Sequence, residues 1–318
     1  MKLLWRTDIH FSEQTPRYRK DNWMETLSEK IRWVGEKARE LKCDAVIDGG
    51  DFFDIKSPLR NSHRLVQEAI KAHKDYPCPV YCCVGNHDCK FGDYAYLPEQ
   101  PLGVLFESGV FRRLYDDFEY VKDGVRVVGI PYHGTKYDHS RFQIQKGEEN
   151  HLVVVAHVLA SRKGGSMFEA EDIISYKQFN ELCPDADVAC FGHWHMDQGI
   201  EEHEGTQFIN VGSLSRGSLS QDNLSRKPCV VLMEFEAGEV RIERFDLPVG
   251  APEDAFDMER KEEEVLKTNA METFVESISA SLKQTEKTSF RDAIRNIPDL
   301  SDSVRERAIQ YLESVGAS

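Results

Sequence analysis

Short apolar runs and one-sided apolar stripes take turns along the first two hundred residues. Runs at 3–5, 45–47, 80–84, 125–130, 152–156 and 188–191 have the length and continuity of buried strands. Between the first two, Trp23, Leu27, Ile31, Val34, Ala38 and Leu41 recur at steps of three and four, which predicts a helix with one apolar face, opened by Asp21. Strands alternating with helical stripes predict an α/β sheet covered by helices. After residue 205 the pattern changes to strands and turns at 208–211, 230–235 and 240–245, a β-rich half joined to the first sheet.

The stretch 248–256, with Pro248, Gly250 and Pro252, reads as a linker between a body at 1–247 and a helical region at 257–318. Beyond it, Met271, Phe274, Val275, Ile278 and Leu282 form one stripe. Val304, Ala308, Tyr311, Leu312 and Val315 form another, with Ser303 and Glu306 as a capping box. Helices of about four turns or fewer cannot bury such faces alone. They are expected to dock on the body, on a partner or on a second copy of the chain.

Composition narrows the class. With 318 residues, 40% hydrophobic and 30% charged, the chain can build a real core and is not a disordered one. No run approaches the roughly 20 apolar residues of a membrane span. The first apolar residues meet Asp8 and lack a signal-peptide core, so a cytoplasmic protein is expected. The eight cysteines form no paired C-x-x-C set and sit in apolar segments, which favours buried thiols over zinc fingers or disulfides. A net charge of −15 counts against a nucleic-acid partner and suits a carboxylate-rich cation site.

The chemistry lies where the apolar runs stop. They end on Asp8-Ile9-His10, on Gly50-Asp51-Phe52-Phe53-Asp54, on Gly85-Asn86-His87-Asp88, on His157, and on Gly192-His193-Trp194-His195. Each alone is ordinary: Asp51 could cap a helix, Gly-Asn could make a turn, and a lone histidine is more often structural than a ligand. Carboxyl ends of strands in an α/β sheet line the ligand crevice, however. Five such ends would bring unpaired ionisable groups to one rim, at several kcal/mol each unless something compensates. Two divalent cations would compensate. Mixed carboxylate, imidazole and amide donors suit Mn(II), Fe(II) or Zn(II) better than Ca(II).

These blocks (D-x-H, G-D-x-x-D, G-N-H-D, a lone H, G-H-x-H) resemble, in order and without substitution, the calcineurin-like metallophosphoesterase superfamily. The resemblance implies a four-layer αββα sandwich, two mixed β-sheets flanked by helices, with a C-terminal helical appendix. It implies one cation on Asp8, His10, Asp51 and His195 and a second on Asp51, Asn86, His157 and His193, with Mn(II) foremost and Fe, Zn or Mg as alternatives. It further implies His87 as a catalytic acid and Asp54 as the group that orients it, with Asp88 in support. The phrase at 50–54 followed by Ser57-Pro58, the stretch 129–132, and the helical appendix look like SbcD-type nuclease subunits. That likeness implies DNA as substrate and an SbcC-like coiled-coil ATPase, or a homodimer, as partner. The hydroxyl-rich stretch 212–218 is expected to contact phosphate through Ser213 and Arg216, although a solvated turn would read the same way. A small-substrate phosphatase or phosphodiesterase, and a non-catalytic scaffold, remain as other readings.

Overall fold

The apolar runs become strands whose side chains alternate between two cores. In a computed structural model, which describes residues 1–167, 171–236, 238–284, 290–298 and 300–314, the chain divides into two units, Met1–Phe256 and Asp257–Ser318. The first unit holds two six-stranded mixed sheets. One contains β1 (Lys2–Arg6), β2 (Ala45–Asp48), β3 (Val80–Cys82), β4 (Phe111–Arg113), β14 (Cys229–Glu236) and β15 (Glu239–Asp246), in the order β15-β14-β1-β2-β3-β4. The other contains β5 (Tyr120–Lys122), β6 (Val125–Ile130), β7 (His151–His157), β11 (Val188–Gly192), β12 (Gly199–His203) and β13 (Thr206–Asn210), in the order β12-β13-β11-β7-β6-β5. A small third sheet joins β8 (Ala160–Ser161), β9 (Gly165–Met167) and β10 (Glu171–Ser175).

Side chains two apart on a strand share a face. Leu3 and Trp5, Ala45 and Ile47, Val153 and Val155 therefore fill the core between the two sheets. Their neighbours Leu4 and Val46 pack beneath α1 (Trp23–Leu41), α2 (His63–His73) and α3 (Pro101–Glu107). On the far side, Leu152, Val154 and Ala156 pack with Phe142 and with Phe179 of α4 (Tyr176–Leu182). Two sheets, each covered outside by helices, give the expected four-layer arrangement.

The first helix starts one residue later than Asp21 suggests. Asn22 is the cap, accepting the Glu25 N–H, while Asp21 pairs with Arg19 at 2.8 and 2.5 Å and accepts from Thr26. A short α5 (Gln221–Ser225) precedes β14, and α6 (Pro252–Ala255) follows β15. The expected linker at 248–256 is not free. Phe256 is buried, and Lys20 N–H donates to the Ala255 carbonyl at 3.0 Å.

The second unit comprises α7 (Met258–Gln284), α8 (Phe290–Arg295) and α9 (Asp302–Ser314). α7 has 27 residues, far longer than the stripe at 271–282. α9 begins at Asp302, and the Ser301 carbonyl accepts from Val304 and Arg305. The expected capping box at Ser303 and Glu306 thus lies inside the first turn. Val315 and the side chains of Leu282 and Leu312 fall outside what is described. No described helix is long and apolar enough to cross a membrane.

Candidate metal centre

Parallel register brings the strand ends together. β1, β2 and β3 pair with Arg6 beside Asp48 and Asp48 beside Cys82, so the chain leaves all three at one rim. In the second sheet His157 pairs with Gly192, which sets the fourth and fifth strand ends side by side. The loops that follow are stitched through their backbones: Asp8 N–H donates to the Gly50 carbonyl at 3.1 Å and His10 N–H to the Asp51 carbonyl at 3.0 Å. Asp88 fastens two of these loops by accepting the N–H groups of Asp51, Phe52 and Gly85 at 2.7, 3.1 and 3.0 Å. Gly85 is required by space, since a Cβ there would meet Asp51 Oδ1 at 2.1 Å.

Donors converge in two groups that share Asp51. His10 Nε2 and His195 Nε2 face each other at 2.8 Å, with Asp8 Oδ1 at 3.9 and 3.5 Å from them and Asp51 Oδ2 3.8 Å from His10. Asp51, His157 and His193 each offer a ligand atom within 4.8 Å of one another. His157 Nε2 is 3.3 Å from Asp51 Oδ2 and 3.3 Å from Asn86 Oδ1. Its Nδ1 can only donate to the Gly49 carbonyl, at 2.8 Å, which leaves Nε2 as the ligand atom. All seven residues expected to hold cations are thereby brought together.

Two features mark the site as built for positive charge. Asp8 and Asp51 are essentially sealed from solvent, at 0% and 1% exposure. Burial opposes ionisation of Asp8, yet the His195 hydrogen bond and the His157 charge hold its carboxyl at about 2. Asp51 is lowered as well, its burial outweighed by His157 and His10. Burial disfavours a charged His157, but Asp51 pushes it up to about 10. The buried carboxylates thus favour a positive partner beside them, and a cation bound there would displace any proton on His157. The backbone is also held in the left-handed region at Asp8, His10, Asp51 and His193, with φ of 52, 50, 50 and 85°. Such strain costs on the order of 1–3 kcal/mol per residue and gathers at functional sites. Carboxylates, imidazoles and one amide at this spacing fit two divalent cations.

Three expectations change in detail. Asp54 does not orient His87 through its carboxylate. His87 Nδ1 donates to the Asp54 backbone carbonyl at 2.6 Å, whereas Asp54 Oδ1 lies 3.3 Å from His10 Nδ1. Ser213 lines a cavity of about 370 Å³ beside His10, His87 and His195, but its hydroxyl donates to the Ser215 carbonyl and accepts from Arg226. Arg216 is not at this cavity: it is buried and lines a different cleft. One residue escaped the sequence altogether. Glu171 of β10 accepts from His193 Nε2 at 2.8 Å and from the Tyr137 hydroxyl at 3.1 Å, on a strand the apolar pattern does not reveal.

Comparison with known proteins agrees with this geometry. Residues 1–197 match the calcineurin-like phosphoesterase family. Among curated proteins, the DNA double-strand break repair protein Mre11 of Methanosarcina mazei is 21% identical over 76% of this chain and 37% of its own length. That of Haloferax volcanii is 24% identical over 69% of this chain and 47% of its own. The chain thus spans less than half the length of the curated relatives it matches. A dimetal phosphatase from Danio rerio shares the fold with a TM-score of 0.53 at 9% identity, over 77% of this chain and 96% of that one. Five donor-bearing strand ends, one shared carboxylate and a family match across most of the two-sheet body lead to one assignment: the chain belongs to the calcineurin-like phosphoesterase family and is a metal-dependent hydrolase.

Proposed function

We propose that the chain hydrolyses phosphodiester bonds with two Mn(II) ions, that its substrate is DNA, and that it works beside a coiled-coil ATPase in DNA end processing. The observation that carries the reading is Asp51, whose carboxylate faces His10 at 3.8 Å and His157 at 3.3 Å and so belongs to both donor groups. The Mre11 relatives, named as repair proteins and aligned over most of this chain, support DNA as the substrate. Asp8, His10, Asp51 and His195 would hold one cation, and Asp51, Asn86, His157 and His193 the other. When bound, the pair supplies Lewis acidity at the phosphoryl group.

The chain's own residues do the rest. His87 donates Nδ1–H to the Asp54 carbonyl, which leaves Nε2 as the atom that meets substrate. Its ring lines the 370 Å³ cavity and lies 4.8 Å from that of His10. Nε2 is therefore assigned to protonate the leaving oxygen. A positioned general acid contributes roughly 10²–10⁴-fold. His87→Ala should lose about that factor in kcat on linear DNA, with Mn(II) stoichiometry and fold unchanged. Retained activity would sink the assignment.

A second reading, a hydrolase of small phosphoesters, is favoured by the cavity itself. Gln14, Thr15, Trp23, Ser215 and Asn223 are among its walls, and it carries neither lysine nor arginine. Turnover of bis-p-nitrophenyl phosphate with none of single- or double-stranded DNA would select it.

A further inference from the structure

We propose that the cleft between α1 and the segment 247–255 is a binding site for a small phosphate-bearing anion, distinct from the metal centre. The cleft encloses about 510 Å³, a volume within the ~300–1,000 Å³ of small-molecule sites. Lys30 and Arg216 line it at 7% and 4% exposure. Neither has a carboxylate partner among the described residues. Lys30 Nζ donates to the Leu214 carbonyl at 2.9 Å and Arg216 Nη2 to the Gly250 carbonyl at 3.0 Å. Arg216 Nε is buried with no acceptor.

Neighbouring cations show what compensation looks like here. Arg19 is paired with Asp21 at 2.5 Å and Arg226 with Asp222 at 2.8 Å. Lys30 and Arg216 thus have no carboxylate in direct ion-pair contact, and the carboxylate that acts on both, Asp21 of the same cleft, is already paired with Arg19. Burial, with Arg19, Arg216 and Arg226 nearby, lowers the Lys30 pKa well below its ordinary value, and burial and Arg19 lower that of Arg216. Asp21 opposes both shifts, and an anion in the cleft would favour the charged forms further.

The donors select the chemistry. The Lys30 ammonium and the Arg216 guanidinium, both on residues lining the cleft, suit a tetrahedral oxyanion. The rim selects the size. Glu29, Glu36 and Asp254 are exposed around the cleft and repel a polyanionic strand, while one phosphate group can reach the buried cations. Inorganic phosphate and a mononucleotide carry this same group, and Trp33, which lines the cleft, offers a surface for the base of the second. Residue 216 is flanked by Ser215 and Gly217, which line the cavity beside His87. The anion would therefore bind behind the loop that walls the metal-side cavity.

Calorimetric titration of the full chain in EDTA, with inorganic phosphate and separately with AMP, tests the site without cations at the metal centre. One equivalent should bind. Lys30→Met and Arg216→Gln should each weaken binding about tenfold or more, as expected for losing a charge-assisted contact. Glu29→Gln and Glu36→Gln, at exposed positions that folding does not need, should tighten it, and Asp51→Asn should leave it unchanged. Tighter binding of AMP than of phosphate identifies a nucleotide as the source, and equal binding identifies free phosphate. The proposal is overturned by absence of binding, by affinity indifferent to Lys30, Arg216, Glu29 and Glu36, by loss in Asp51→Asn, or by equal competition from a single-stranded oligonucleotide.

Discussion

At the scale of single residues, the donors that the structure brings together were legible because they stand where apolar runs end. Asp8, His10, Asp51, Asn86, His157, His193 and His195 could be picked out without coordinates. Of the supports, Asp88 was legible, but others were not, because they act through backbone carbonyls or stand on a strand without an apolar run. Asp54 serves His87 with its carbonyl, and His157 is oriented by the Gly49 carbonyl. Glu171, on β10, reaches His193 from 22 positions away. Gly85 shows how tight the assembly is. Gly85→Ala would put a methyl group 2.1 Å from Asp51 Oδ1 and 2.6 Å from its backbone nitrogen, so neither a flexible tip nor a rotamer change can relieve it. The variant should fold yet bind Mn(II) at least about tenfold more weakly, as losing a supporting contact does. Wild-type metal affinity by calorimetry would contradict the close approach.

At the scale of elements, the central strands were readable, while of the edge strands only β15 was and β4, β5 and β12 were not. The central strands of both sheets are continuous apolar runs, but β12 reads Gly-Ile-Glu-Glu-His and pairs on one side only. α2 was missed because only Leu65, Ala69, Ala72 and His73 of its 11 residues are buried, a stripe diluted by charge. Its last residue has a consequence for stability. His73 Nδ1 donates to the Ala69 carbonyl at 2.7 Å, so Nε2 must accept from Arg6 Nη2 at 2.8 Å, and the ring is neutral. Burial and the Arg6 charge hold its pKa well below 6.5. The folded pKa is thus the depressed one. Above 6.5 neither state is protonated and nothing is lost. Below 6.5 the unfolded chain gains a proton that the folded chain refuses, and stability falls by up to about 1.4 kcal/mol per pH unit. The urea midpoint should drop from pH 7 to pH 5.5 in the wild type and drop less in His73→Gln. Equal slopes would exclude this histidine as the cause.

At the scale of the whole molecule, the two-sheet body, its family and the presence of a helical C-terminal region were within reach of the sequence, and the extent of that region's helices was not. Among its described residues Ile294 and Ile297 are buried, whereas Leu266, Met271 and Val275 of α7 are 68, 61 and 53% exposed. Exposed apolar residues on one long helix suit a partner helix, which supports the proposal that this unit docks on a coiled-coil ATPase. Leu266→Glu with Met271→Glu should abolish co-purification with that partner while leaving hydrolysis of bis-p-nitrophenyl phosphate intact. Unchanged co-purification would remove the unit from the interface. The acidity of the chain belongs to this scale too. A net charge of −15 offers no long-range attraction to DNA, so the proposed DNA binding would rest on the cations and on local contacts.

The two-cation centre shared by Asp51 is tested most directly by the rate of diester hydrolysis as Mn(II) is returned to the EDTA-treated protein, for the wild type and for Asp51→Asn. The wild type should be inactive without cation and reach full rate as two equivalents bind, and Asp51→Asn should stay inactive because both donor groups lose their common carboxylate. A wild type that hydrolyses the diester in EDTA, or an Asp51→Asn variant that regains the full rate, would contradict it.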